Sequence, residues 1–238
     1  MRCYLCAAAD ERPKTDLRLL SACVDYHFDR PFPADLPPCP EGVMLLGGDL
    51  RADRGAEIGG ECRRRGLTAV LAGFGAAPGV AVFRFCDGLL RQGLTPILTE
   101  TAWRAGCGAE LLVSSAVTAG ELRQHLAEAL NRCPTLCLDL ERLRSSFPFP
   151  SPDGTGRPLA AKELSALLQR RPEVHFSEEL VCKAFTTEDG GESRFVLFDD
   201  RETLARKVRL AAEAGVERCF LLYPEWSAEE AEAALACL

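Results

Sequence analysis

The chain has 238 residues, 47% of them apolar, and a formal net charge of −7. That length suits one large α/β domain or two small ones, with enough apolar mass for a substantial core. The acidic balance argues against a nucleic-acid partner, which needs a basic face for phosphates; the basic run Arg63-Arg64-Arg65 reads as the solvated end of a helix.

Twelve cysteines invite a metal or disulfide reading. Only Cys3 and Cys6 form a C-x-x-C pair, and no second pair with zinc-ligand spacing follows. Cys86, Cys137, Cys182 and Cys219 sit inside apolar runs and read as small buried hydrophobes. Many free thiols point to a reducing compartment. No apolar run reaches the roughly 18 residues that span a membrane, and Met1-Arg2-Cys3-Tyr4 opens no signal peptide. The expectation is a cytoplasmic protein with no membrane partner and no cofactor.

In chain order, residues 2–8 and 19–26 are both strand-like, and either could open the main sheet. Residues 30–41 hold five prolines and read as an extended surface loop. Val43 to Gly48 is a short buried strand ending at Asp49. Asp53 to Arg65 reads as a helix closed by Gly66. Strands follow at 68–73, 95–100 and 110–117, with a helix over 80–91 and a short connection over 101–108. Thr118 and Glu121 have the spacing of a capping box for a helix running to Asn131. Residues 135–141 form the next strand. Its alternation puts Leu136, Leu138 and Leu140 on one face and Cys137, Asp139 and Glu141 on the other. Two carboxylates on neighbouring same-side positions are costly unless solvated, paired or used, so this stretch marks a candidate site.

Residues 145–158 read as a Pro/Gly/Ser loop and 160–170 as an amphipathic helix. Residues 174–180 read as a strand, and Asp189-Gly190-Gly191 as a hairpin turn before Arg194–Phe198. A helix over 201–214, a strand over 219–225 and a terminal helix over 228–238 complete the chain. Asp199-Asp200 are expected to cap the helix that starts at Arg201. Counting one N-terminal strand, eight strands alternate with helices: a compact (β/α)8 TIM-type barrel over residues 1–238, a single domain with a hairpin insertion before the last helix and strand. A doubly wound sheet is the alternative, but no G-x-G-x-x-G follows the first strand.

In such a barrel the site lies at the C-terminal strand ends. Reading them gives Asp49, Glu100, Ser115, Asp139, Glu141, Glu178, Glu179, Tyr223 and Glu225. An acid-lined mouth suits glycosidic bond cleavage or a divalent cation. His175 could face the barrel interior, although a satisfied core histidine is the simpler reading.

Asp139-Leu140-Glu141 resembles the end of the strand signature D-x-x-D-x-D-x-E of the chitinase-like glycoside hydrolases of family 18. Cys137 and Pro134 stand where the two earlier acids would fall, and the strand is sixth in our count where the family uses its fourth. Phe185 to Gly191, Phe195 to Asp200 with Thr203, Leu204 and Lys207, and Cys219 to Trp226 are similar to the closing part of family 18 enzymes, the spore-cortex type above all. The resemblance implies Glu141 as general acid, Asp139 orienting a substrate acetamido group, and Tyr223 and Trp226 shaping a sugar subsite; Trp226 reads equally as a cap over the barrel rim. With Glu225, Glu100 and Asp49 as further substrate contacts, the expected partner is an N-acetylated glycan or a small-molecule ligand. Three readings follow: a glycoside hydrolase, a barrel that has lost catalysis and binds a sugar or protein, and a metal-dependent enzyme at the acidic mouth.

Overall fold

Short apolar strands alternating with amphipathic helices bury most surface when the strands close into a ring with the helices outside. A computed structural model describes residues 1–8, 20–25, 42–47, 54–74, 79–151, 154–189 and 191–236. The elements in order are β1 (Arg2–Ala8), β2 (Leu20–Asp25), β3 (Val43–Gly47), α1 (Gly55–Arg64), β4 (Ala69–Phe74), α2 (Val80–Arg91), β5 (Thr95–Thr99), β6 (Glu110–Ser114), α3 (Leu122–Arg132) and β7 (Leu136–Asp139). Then come β8 (Arg144–Pro148), β9 (Arg157–Pro158), α4 (Ala161–Gln169), β10 (His175–Ser177), β11 (Cys182–Asp189) and β12 (Glu192–Phe198). The chain ends through α5 (Arg201–Glu213), β13 (Arg218–Leu222) and α6 (Ala228–Leu235).

Strands β1 to β7 and β13 form a closed barrel in the order β1-β13-β7-β6-β5-β4-β3-β2, with every neighbouring pair parallel. The eight-stranded parallel barrel read from the sequence is therefore the architecture, with two changes of membership. Both N-terminal segments are barrel strands, paired from Tyr4 with Leu20 to Ala8 with Val24. The segment over 174–180 is not one: His175–Ser177 pairs antiparallel with β11 in a second sheet of order β10-β11-β12-β8-β9. The insertion is thus five strands and a helix rather than a hairpin, and the 145–158 loop contributes β8 and β9 to it. His175 is exposed there and faces no barrel interior.

Strand alternation sorts the barrel core. Leu136, Leu138 and Leu140 pack outward against Leu122, Leu126 and Ala129 of α3, while Cys137 faces inward with Tyr4, Leu112 and Phe220. Tyr4 stacks on Phe220 with ring centroids 5.1 Å apart. The same alternation separates Cys3, in the outer core, from Cys6, in the lumen, so the C-x-x-C spacing brings no two thiols together. At the barrel floor Arg218 pairs with Glu110, which also accepts from the Cys137 thiol at 3.1 Å. A pair at the N-terminal face of such a barrel serves stability rather than chemistry.

The helix starts differ from expectation where tertiary contacts win. α3 begins at Leu122, not at Thr118, because the Leu122 N–H donates to the Glu179 carbonyl at 2.9 Å instead of to a local cap. Asp200 does cap α5, accepting from the Glu202 and Thr203 N–H groups at 3.0 and 3.1 Å. Asp199 turns the other way, into the core. α1 and α2 cross through glycines: a Cβ on Gly88 would lie 2.6 Å from the Ala56 nitrogen, so only hydrogen fits. Residues 51–53, including Asp53, lie outside the described residues, as does the proline-rich stretch over 30–41.

Candidate functional site

β7 delivers Asp139 to the C-terminal rim, in register with Ser114 of β6 and Phe220 of β13. The next residues, Leu140 to Leu143, leave the barrel and enter the inserted sheet at Arg144. Ordering an irregular turn costs conformational entropy, so its contacts matter. The Leu140 N–H donates to the Phe220 carbonyl at 2.8 Å, and the Trp226 indole N–H donates to the Leu140 carbonyl at 2.6 Å. Leu143 exchanges two bonds with Asp199: its N–H donates to Oδ2 and its carbonyl accepts from the Asp199 N–H, both at 2.8 Å. Arg142 donates to the Glu225 carbonyl at 2.7 Å, pairs with Glu230 at 3.2 Å, and lies over the Trp226 ring 4.4 Å from its centroid.

This turn and the inserted sheet enclose a cleft of about 490 Å³ lined by Asp139, Glu141, Arg142, Arg144, Glu225 and Leu222, among others. Glu141 is exposed and accepts from the Ser114 hydroxyl at 2.8 Å. Asp139 is partly buried, and burial first, then the neighbouring Glu141 carboxylate, push its pKa up to about 7. The Cys6 thiol is pushed up too, by burial and then by the Asp139 charge. The two carboxyls of the D-x-E stretch therefore meet in one open cleft, in unlike environments.

Asp139 carries a consequence for stability. The unfolded chain loses this proton near the ordinary aspartate value of 3.8 and the folded chain near 7, so between them the folded state holds more protons. Stability falls as pH rises through that window. Urea unfolding should show the protein about 1–2 kcal/mol less stable at pH 8 than at pH 5, a figure discounted for partial exposure. Asp139→Asn should flatten that difference; an equal slope in the variant would place its origin elsewhere.

The other expected contacts divide. Glu225 lines the cleft, tied to Arg144. Trp226 also borders it but is 1% exposed, with its N–H bonded and one face under Arg142, so it is a rim cap and not an open platform for a sugar. Tyr223 packs against the outer core and does not line the cleft. Glu100 pairs with Arg132 of α3 at 2.6 Å in a separate recess with His125 and Glu128. Glu178 and Glu179 sit in the β10–β11 turn of the inserted sheet, Glu178 within 3.4 Å of Arg206. Asp49 lies outside the described residues. Among the described residues no group of three or more His, Cys, Asp or Glu side chains is placed to hold a metal ion, and no helix is long and apolar enough to cross a membrane.

Ser114 ends β6, one residue before the Ser115 that the sequence reading picked, and Asp199 and Lys207 hold the turn behind the cleft from positions that strand-end reading does not reach. Lys207 donates to Asp199 Oδ2 at 2.7 Å, with both side chains essentially sealed from solvent. A signal existed: Lys207 falls on the stripe Leu204, Val208, Ala211 of α5, and a lysine on a buried stripe requires a buried anion.

The closed ring also fixes strand order. The fourth barrel strand is β4, Ala69-Val-Leu-Ala-Gly-Phe74, with no carboxylate; Asp139 ends the seventh, β7, and Glu141 lies in the turn just after it.

No protein-family model matches the chain, and no curated protein matches it in sequence. Solved structures do. The spore cortex-lytic enzyme SleL of Bacillus cereus is 13% identical with a TM-score of 0.59, over 82% of this chain and 59% of that one. A chitinase from Chromobacterium violaceum is 16% identical with a TM-score of 0.58, over 84% of this chain and 80% of that one. The family GH18 chitinase of Cycas revoluta, solved with (GlcNAc)3, is 14% identical with a TM-score of 0.52, over 85% of this chain and 81% of that one. The chain spans 58% and 59% of the two SleL chains it matches, from Bacillus megaterium and Bacillus cereus. At such identities the likeness is one of architecture: this chain has the barrel fold of the GH18 chitinases and spore cortex-lytic enzymes.

Proposed function

We propose that the chain is a chitinase-like barrel that binds an N-acetylated glycan in the Asp139–Glu141 cleft without cleaving it. The observation that carries this reading is the fourth strand. The family resemblance places D-x-x-D-x-D-x-E there, and Ala69–Phe74 offers no acid. The cleft supplies polar contacts of the kind a glycan needs: the Asp139 carboxyl, the Glu141 carboxylate and the Ser114 hydroxyl behind it. The glycan class is suggested by the Cycas revoluta chitinase, which is solved with (GlcNAc)3.

One observation favours a second reading. A carboxyl with its pKa raised to about 7 beside another carboxylate is how glycosidases keep a general acid protonated at neutral pH. Under that reading Asp139, not Glu141, is the acid. Calorimetry with chitotetraose and with muropeptides, paired with mass spectrometry of the products, separates the two. We expect saturable binding with intact ligand, and at least tenfold weaker binding in Glu141→Gln. Turnover abolished by Asp139→Asn would replace this proposal with the hydrolase. Absence of binding to either glycan at millimolar concentration would overturn both.

A further inference from the structure

The outer face of the inserted sheet carries a recess unlike the cleft. It encloses about 190 Å³ between the sheet and α4. Three arginines line it from three elements: Arg157 on β9, Arg194 on β12 and Arg170 at the C-terminal end of α4. The hydroxyl residues Ser146 and Thr187 border it, over an apolar wall of Leu159 and Leu167. Among the described residues only one carboxylate, Glu163, shares the lining. Three guanidiniums against one carboxylate make a local cationic pocket in a chain whose net charge is −7.

Existing bonds leave donors over. Glu163 is engaged twice, with Arg157 at 3.1 Å and with the Ala160 N–H at 2.8 Å. Among the described residues the Arg194 guanidinium reaches only Glu192, at 3.3 Å, whose side chain is 70% exposed. Its Nε is buried with no acceptor. Arg170 has no carboxylate partner among the described residues. Guanidinium forks match carboxylate and phosphate oxygens in pairs.

The sheet register explains why this pocket stands apart from the cleft. Ser145 pairs with Pro158 and Ser146 with Arg157. Alternation sends Ser145 and Pro158 to the cleft and Ser146 and Arg157 to the recess. The β8–β9 ladder is the wall between them.

We propose that this recess is a binding site for a small oxyanionic group, a phosphate or a carboxylate, held by Arg157, Arg170 and Arg194. It does not depend on the glycan reading, because the arginines belong to the opposite face of the sheet. The test is titration of the full chain at low ionic strength with inorganic phosphate and, separately, with succinate, followed by NMR shifts of the arginine Nε–H groups. The expected result is a saturable, one-site response of the Arg194 Nε–H to at least one probe. Arg194→Gln and Arg157→Gln should each weaken it at least tenfold while the circular dichroism spectrum stays unchanged. The stronger probe then separates phosphate from carboxylate ligands. A response that never saturates with either probe, or one that survives both substitutions, would overturn the site.

Discussion

Replacing Lys207 with alanine is expected to destabilise the protein by about 3–5 kcal/mol, because it strands the Asp199 carboxylate in the core. Lys207 and Asp199 are 1% and 0% exposed at their side chains, so water cannot take over as partner. Against a typical domain stability of about 5–15 kcal/mol, that loss leaves a barely folded chain. The double variant Lys207→Met with Asp199→Leu should recover part of it, since a buried pair exchanged for apolar residues is often near neutral. Recovery stays incomplete, because the Leu143 N–H loses its acceptor, worth about 1–3 kcal/mol when buried. Urea midpoints of the three proteins measure this. A single-variant loss under about 1 kcal/mol would mean that the pair is not sealed.

The second large effect is expected at Trp226. Truncation to alanine removes a fully buried indole from the outer core and should cost about 3–5 kcal/mol. It also frees Arg142, which rests on the ring, and the Leu140 carbonyl, which accepts the indole proton. Trp226→Phe keeps most of the volume and should lose only about 1 kcal/mol beyond packing, the worth of that hydrogen bond. An open sugar platform would behave oppositely, with ligand affinity falling and the unfolding midpoint unmoved. Parallel calorimetry and urea unfolding distinguish the two.

How far residues alone reach can be judged from single elements. The alternation in 135–141 correctly assigned both faces of β7, because one face is packed under α3 and the other points into the lumen. The segment 174–180 misled because it follows a helix and so imitates one more β/α unit. Periodicity reports that a strand is half-buried, not which sheet receives it. The two N-terminal segments looked like rivals for one position, and the ring takes both. Pairing Asp139 with Glu141 in a cleft was legible from spacing. The fates of Glu100 and Glu225 were not, since Arg132 and Arg144 reach them from segments far away in the chain. Trp226 was legible only as a choice between platform and cap, and Arg142 decides it by covering the ring.

β13 sits between β1 and β7, so the last strand in sequence is the one that closes the ring. As the polypeptide leaves the ribosome, β1 and β7 each hold a bare hydrogen-bonding edge until residues 218–222 emerge. The inserted sheet has no such delay, because all its strands lie within 144–198 and can pair as soon as they are made. Nascent chains therefore carry a finished sheet beside an unfinished barrel, and the interval before closure is when self-association through those edges competes with folding.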